Sequence, residues 1–506
     1  MALGLLNPRV TIVGFFFGLI ACFLTTTVAG QAITIGSAED MRLRNEQLLG
    51  KFDSSVSFTV RPLIRSKETN WKKPLFSVLP LTLIQQYNTH HPYGWNDGAM
   101  IAANGYQAML SAGIRASYGA FEVQLMPELV YANNPSYASN TAYGSNAGGP
   151  YQKLFPGQSF IKASIGAISA GLTSQNLWWG PGIRSSLLMS NNAPGFVHGF
   201  ISSRKPAKTP IGDFEWQLIG GKLTADDNRA YENFNLKPPA SPLNKDWRYL
   251  SAYVISYHPK WVPGLFLGMT RAIQRYKQSL VLSKGNFLNE YIPVVAKAFS
   301  KQNEQGDDTL GTDQLASFYA RWVLPKAKAE FYVEWGYNDY NYNTRDYLMG
   351  PTHSAAHLVG FKKIVELTKD SYLDFGVELT EMSQSPDYLV REAGNWYVHG
   401  QIFQGYTHQN QIMGAGAGLG CNVQSITATW VKGMKQWGIL LERVERDPQY
   451  HANKWTDLSI GIMPQWKYQN LLISGIVQFI NSSNYAWDKD VNRFNVHSRL
   501  SVQYQF

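Results

Sequence analysis

The stretch Leu500-Ser501-Val502-Gln503-Tyr504-Gln505-Phe506 alternates apolar and polar residues up to a terminal phenylalanine. Successive side chains of a strand point to opposite faces, so this run has one apolar and one polar side. A strand of a membrane barrel needs that division, with lipid on one side and a polar lumen on the other. An aromatic last residue is what the outer-membrane insertion machinery of Gram-negative bacteria is expected to read, which marks Tyr504 and Phe506 as an assembly signal. The pattern recurs upstream. Leu373, Phe375, Val377 and Leu379 interleave with Asp374, Gly376, Glu378 and Thr380, and Phe331, Val333, Trp335 and Tyr337 interleave with Glu330, Tyr332, Glu334 and Gly336. One such run would suit a half-buried strand of a soluble sheet equally well. Many of them, with a secretion signal and an aromatic terminus, favour a barrel.

Composition agrees. The 506 residues are 44 % hydrophobic and 13 % aromatic but only 16 % charged, against a soluble average of about 25 %. Excess aromatics with few charges suit a surface that faces lipid and carries interfacial Tyr and Trp. No segment after residue 30 offers the roughly 18 consecutive apolar residues of a membrane-spanning helix. A membrane protein without such helices closes its backbone hydrogen bonds as a barrel. The expected fold is therefore all-β, one transmembrane antiparallel outer-membrane barrel over 54–506. The formal charge of +9 is scattered, with no basic block. That excludes a nucleic-acid footprint and leaves two readings: affinity for an anionic partner such as an acidic polysaccharide or lipopolysaccharide, or cations spread over polar loops and lumen.

Residues 1–30 read as a signal peptide. Arg9 provides the positive flank and Val10 to Leu24 the apolar core. Val28 and Gly30 are small residues suited to cleavage after Gly30, with an outer-membrane destination. The alternative is a lipobox, Leu19-Ile20-Ala21-Cys22, leaving a lipidated Cys22. The other cysteine, Cys421, would then be a lone thiol, so neither a disulfide nor a cysteine metal site is expected.

Residues 31–53 read as a short periplasmic helical segment: Ser37 can cap a helix that Gly50 stops, with Met41, Leu43, Leu48 and Leu49 among charged residues. Strand patterns follow at 54–62, 75–87, 106–117, 120–131, 160–167, 170–177, 196–203, 213–224, 248–258, 264–275, 314–324, 327–337, 355–366, 371–382, 396–404, 410–419, 424–432, 435–446, 455–465, 469–480 and 497–506. Their number is odd, whereas single-chain bacterial barrels have an even number; 54–62 and the pair in 160–177 are the least regular. Connections are tight at Pro325-Lys326, Leu367 to Asp370 and Trp466 to Tyr468. They are long and polar at 132–158, 225–247, 276–313, 338–354, 383–395 and 481–496. Counting back from a periplasmic C-terminus puts every long loop outside and every tight turn inside, as barrels of this kind have it. The same count places 88–105 and 178–195 outside.

Two segments depart from plain strand-and-loop composition. One is His91-Pro92-Tyr93-Gly94-Trp95-Asn96-Asp97-Gly98. The other starts Asn176-Leu177-Trp178-Trp179-Gly180-Pro181-Gly182-Ile183-Arg184 and reaches Ser190-Asn191-Asn192-Ala193. Paired indoles beside Gly-Pro-Gly form a rigid turn presenting flat faces, with planar hydrogen-bonding groups close by. Sugars are bound in this way, aromatic faces under the pyranose and Asn, Asp or Arg on its hydroxyls. The candidate polysaccharide contacts are Trp178, Trp179, Arg184, Asn191 and Asn192, with Trp95, Asn96 and Asp97. The competing reading makes the tryptophans girdle or packing residues and the asparagines turn caps.

Catalytic and metal readings are poorly supported. None of the ten histidines sits in a recognisable nucleophile motif. His353 and His357 are four apart but lie beside Pro351 with no glutamate of the HExxH kind between them. The pairs Asp226-Asp227 and Asp307-Asp308 sit in polar loops with nothing to fix their separation. No cofactor is implied.

The two segments above, with Lys205-Pro206 and Ile211-Gly212-Asp213-Phe214-Glu215, resemble the Wzi family of capsule assembly proteins in its Bacteroidota form. The resemblance is strongest in 88–108 and 172–223. It implies a barrel of about eighteen strands with a helical element near the periplasmic mouth. It also implies a lectin-like, non-enzymatic role attaching capsular or exopolysaccharide to the cell surface. A passive diffusion porin is the main alternative on architecture, an outer-membrane hydrolase a weaker one.

Overall fold

The structure, a computed structural model, describes residues 33–63, 74–135, 149–225, 246–279, 292, 312–338, 352–383 and 394–506. The expected signal peptide and Cys22, the pairs Asp226-Asp227 and Asp307-Asp308, and most of the loops 225–247, 276–313 and 338–354 lie outside these residues.

Eighteen antiparallel strands close into one barrel. In chain order they are β1 (Leu75–Asn88), β2 (Gly105–Tyr118), β3 (Phe121–Leu125 with Glu128–Ala132), β4 (Tyr151–Phe155 with Phe160–Ile165), β5 (Ile168–Thr173), β6 (His198–Ser203 with Ala207–Thr209), β7 (Gly212–Leu223), β8 (Arg248–Pro259), β9 (Leu265–Tyr276), β10 (Thr312–Leu324), β11 (Ala329–Asn338), β12 (Ala355–Thr368), β13 (Ser371–Glu381), β14 (Asn422–Lys432), β15 (Lys435–Arg446), β16 (Trp455–Tyr468), β17 (Leu471–Ser483) and β18 (Arg493–Tyr504). Each pairs with its neighbour, and β18 returns to β1 from Leu81↔Tyr504 to Asn88↔His497. Closure leaves no free edge, the condition for backbone to sit in hydrocarbon.

The alternation seen in sequence becomes the two faces of the wall. Leu458, Ile460, Ile462, Val477, Phe479 and Leu500 stand exposed on the outer face. Their neighbours Asp457, Gln478, Ser482 and His497 are buried in the lumen. Trp437 and Trp466 stack at the end of the barrel that carries the tight turns, with ring centroids 6.5 Å apart. Exposed Tyr468, Tyr504 and Phe506 continue this aromatic girdle.

Three expected strands are not barrel strands. Within 54–62 only Val60–Arg61 is extended, and it pairs with Trp178–Trp179. The runs 396–404 and 410–419 belong to the β13–β14 connection, where among the described residues the only regular pairing is Thr407–His408 with Gln411–Ile412. Glycines at 400, 405, 414, 416, 418 and 420 break the period, and the large residues between them turn into the lumen. Conversely, Tyr151–Phe155 forms the first half of β4 inside the supposed loop 132–158.

The helix forms as read. In α1 (Ala38–Leu48), Ser37 Oγ accepts from Asp40 N at 3.2 Å, and Gly50 follows at φ +68°, a left-handed stop that suits glycine. The helix sits inside the barrel mouth at the turn end. Leu48 packs on Phe266, Val323 and Ile364. Arg44 Nε donates to Glu330 Oε1 at 2.8 Å, and Arg321 Nε donates to Glu330 Oε2 at 2.7 Å. All three charged groups are buried, so the pairing is what permits their desolvation.

Candidate functional site

Three connections that leave from the loop end fold into the lumen: β1–β2, β5–β6 and β13–β14. The expectation that 178–195 stands outside is therefore corrected. Its WWGPG turn reaches down to the helix and the segment before β1. Trp178 and Trp179 are 3 % and 0 % exposed. Trp179 Nε1 donates to Gln217 Oε1 at 3.0 Å. The Arg61 guanidinium lies 4.8 Å above the Trp178 ring. Pro181 O accepts from Arg44 Nη2 at 2.7 Å and Gly182 O from Arg61 Nη2 at 3.1 Å. Burial of the Arg61 guanidinium lowers its pKa, with Asp40 acting against that shift. Gly180 (φ +114°) would place a Cβ 2.9 Å from Glu334 Oε2, so the tip tolerates no side chain there. The two tryptophans fix the loop in the lumen, and the girdle reading fails because neither ring reaches the outer face.

The remaining candidates do come together. Asn96 Nδ2 donates to Arg184 O at 2.7 Å, Asn96 N to Asn192 Oδ1 at 3.1 Å, and Asn191 Nδ2 to Asn96 O at 3.1 Å. These bonds splice the β1–β2 and β5–β6 connections into one unit. The Arg184 guanidinium sits 5.3 Å over the Trp95 ring and pairs with Glu442 at 2.6 Å. Arg184 N, Ile183 N and Ser185 N all donate to the Glu378 carboxylate, a nest of three amides on one buried anion. Asp97 pairs with Arg499 at 3.1 Å. Asn192 is buried, its Nδ2 on Ile412 O at 2.9 Å, whereas Trp95, Asn96, Asp97, Arg184 and Asn191 stay half-buried.

Sequence reading missed Tyr93, Glu378, Glu442 and Arg499. For the three charged residues the one sequence signal is a charge at an inward position of an alternating strand, as in Val377-Glu378-Leu379 and Leu441-Glu442. Tyr93 lies 5.4 Å from Trp95 between ring centroids, and burial pushes its hydroxyl well above the usual phenol pKa.

The loop end above this cluster is closed by packed chain. Residues of 177–196 and 382–421, among them Trp179, Leu187, Trp396, Tyr397, Tyr406 and Met413, form one apolar core with wall residues such as Leu250, Leu315, Ala356 and Val444. A second core joins Ala99, Met100 and Ile101 to β1–β4 through Ile84, Met109, Val130 and Phe155. Gly416 passes so close that a Cβ there would lie 2.3 Å from Asn192 Oδ1 and 2.7 Å from Trp95 Cβ. Tyr397 Oη donates to Leu187 O and accepts from Ala415 N, both at 2.8 Å.

The family model for capsule assembly protein Wzi matches residues 85–494. The chain belongs to the Wzi family. As a member it is an outer-membrane β-barrel. Its fold is similar to that of Wzi from Escherichia coli, described as an outer-membrane protein involved in group 1 capsule assembly and a carbohydrate-binding β-barrel. That similarity has a TM-score of 0.64 at 13 % identity, covering 94 % of this chain and 100 % of that one. OccK7 and OccK5 of Pseudomonas aeruginosa are more remote, each with a TM-score of 0.43, at 12 % and 9 % identity, covering 85 % of this chain and 99 % and 97 % of theirs. No curated relative matches the sequence. At 13 % identity the Escherichia coli Wzi shows the barrel and nothing about which residues meet a ligand.

Proposed function

We propose that this Wzi-family protein binds capsular polysaccharide or exopolysaccharide and holds it to the outer membrane without altering it chemically. The observation that carries this reading is a lumen closed at its loop end. There an apolar core built from 177–196 and 394–421 packs on the wall and blocks the water path that diffusion needs. The porin alternative has no comparable support, and the Escherichia coli Wzi, a carbohydrate-binding barrel, points the same way. The long connections on the end opposite the termini are the outer surface on this reading, and membrane lipid and lipopolysaccharide surround the apolar belt.

The test is retention. Cells lacking the protein should make the same total polysaccharide but release most of it into the medium, measured as cell-bound against soluble glycan. Unchanged retention would overturn attachment as the role. In planar bilayers the intact protein should give little steady conductance. Removing 395–420 should raise conductance, because that stretch contributes the loop-end core; removing α1 alone should leave that core in place. A large stable conductance from the intact chain would favour the porin.

A further inference from the structure

At the turn end the helix fills only one side of the barrel. Beside it lies a cavity of about 780 Å³, bounded among others by Leu79, Gln124, Gln158, Lys467, Gln503 and Gln505. Its size falls within the roughly 300–1,000 Å³ of small-molecule sites. Above it along the wall, the inward positions are Thr82 on β1, Ser474 on β17 and Ser501 on β18, all small and all only partly buried. Thr82 lies opposite Gln503, and two inward steps further along β18 is Arg499, about 13 Å higher at the rise of a strand. Arg499 is the residue paired with Asp97, and its side chain is 32 % exposed. Arg184 over Trp95 is 29 % exposed although its partner Glu442 is wholly buried. The loop side of this cluster is covered by Gly416 and by Ala417, whose carbonyl accepts from Arg446 Nη1 at 2.7 Å.

Polar atoms along this path without a hydrogen-bond partner among the described residues include Asn96 Oδ1 at the top, Gln86 Nε2 in the wall beside Arg499, and Gln124 Oε1 at the cavity. Buried polar atoms are nearly always satisfied, and exceptions ask for a ligand or water. An indole with a guanidinium, a carboxylate and several planar amides is a donor and acceptor set for a hydroxyl-rich ring with an apolar face.

From this we infer that the turn-end cavity and the Trp95–Asp97–Arg184–Arg499 cluster form one shaft. It takes the end of a saccharide chain, two to four sugars long, entering from the side of the membrane that holds the termini. The inference rests on the polysaccharide-binding reading and moves the grip from the outer loops to the lumen.

The test uses the full-length protein in detergent micelles with oligosaccharides of two to four sugars, prepared by partial hydrolysis of the producing cell's own surface polysaccharide. Trp95→Ala should weaken their binding about tenfold, the size expected for losing one stacking contact, and Trp95→Phe should restore part of it. Ser501→Trp should abolish binding by blocking the shaft without touching the cluster. Ser501→Cys should react with a maleimide, since Cys421 is buried, and bound oligosaccharide should protect it. Heat-modifiable migration reports that each variant is folded, and Ser501→Cys keeps the test open if Ser501→Trp is not. Undiminished binding in folded Trp95→Ala and Ser501→Trp would overturn the shaft while leaving attachment by the outer loops intact. Failure of the unmodified protein to bind either the oligosaccharides or the whole polysaccharide would overturn the attachment reading itself.

Discussion

Leu500 and Ser501 are joined by one peptide bond, yet Leu500 stands on the outer face at 43 % exposure and Ser501 looks into the lumen. In the wall every residue's environment follows from its parity and its partner from register: Leu500 faces Gln85 and Gly475 because the ladders from β1 and β17 say so. In the lumen nothing is periodic. Arg44 finds Glu330 at a separation of 286 residues, and Arg184 finds Glu442 at 258. The wall is stabilised by many equivalent contacts and backbone bonds, so it tolerates loss of one. The lumen relies on specific pairings, such as the one carboxylate that Arg44 and Arg321 share.

That difference predicts where one substitution does most harm. Replacing Glu330 by Ala leaves the Arg44 and Arg321 guanidiniums buried without their shared carboxylate. The cost should be about 3–5 kcal/mol, as for a buried pair broken on one side, read as a lower urea midpoint for loss of the fast-migrating, unheated form. A fall of less than about 1 kcal/mol would mean that the helix is not latched through Glu330 and that the lumen is as redundant as the wall. The wall itself can be probed at the adjacent pair. Leu500→Lys should cost about 2–4 kcal/mol by putting a charge into the apolar belt, whereas Ser501→Lys should stay within about 0.5 kcal/mol. Equal costs at the two positions would break the assignment of faces.

The same division explains what could be read from the sequence. Alternation is a local signal, and it marked at least part of each of the eighteen strands, though not Tyr151–Phe155 of β4; the helix was marked by Ser37 and Gly50 instead. It failed at 396–404 and 410–419 because apolar residues that pack into a lumen look like residues that face lipid; only the glycines between them tell the two apart. The site was half legible. Trp95, Asn96, Asp97, Arg184, Asn191 and Asn192 lie in two segments of unusual composition, and the fold joins them. Trp178 and Trp179 share that composition but serve packing, since a flat indole suits a buried Gln217 amide as well as a sugar. Glu378, Glu442 and Arg499 were out of reach because each belongs to an ordinary strand, and only closure of the barrel brings them to the cluster.

The last expected effect concerns acid. His408 lies where the β13–β14 connection meets the end of β7: its Nδ1 accepts from Thr224 N at 3.2 Å, and its ring packs on Phe196. Burial pushes its pKa down to about 3, and it does the same to His91 beneath Tyr485. A histidine held neutral in the folded state is protonated first in the unfolded chain. Stability is therefore intact above the ordinary pKa of about 6.5 and is lost as the pH falls from there towards 3, at up to about 1.4 kcal/mol per unit for each group. Asp447 acts the other way: burial raises its carboxyl to about 6, so the folded state takes up that proton first, and between pH 6 and its ordinary range it offsets part of the loss. Between pH 7 and pH 5 the share of each of these histidines is a fall in stability of roughly 2 kcal/mol. His408→Gln keeps an acceptor for Thr224 N but cannot titrate, so it should shrink the fall by roughly 2 kcal/mol, the share of one histidine over that interval. An undiminished fall in the variant would show that His408 is not the group held neutral. The pH dependence would then belong to other buried groups such as His91, and the connection over 394–421 would be no more acid-sensitive than the wall it rests on.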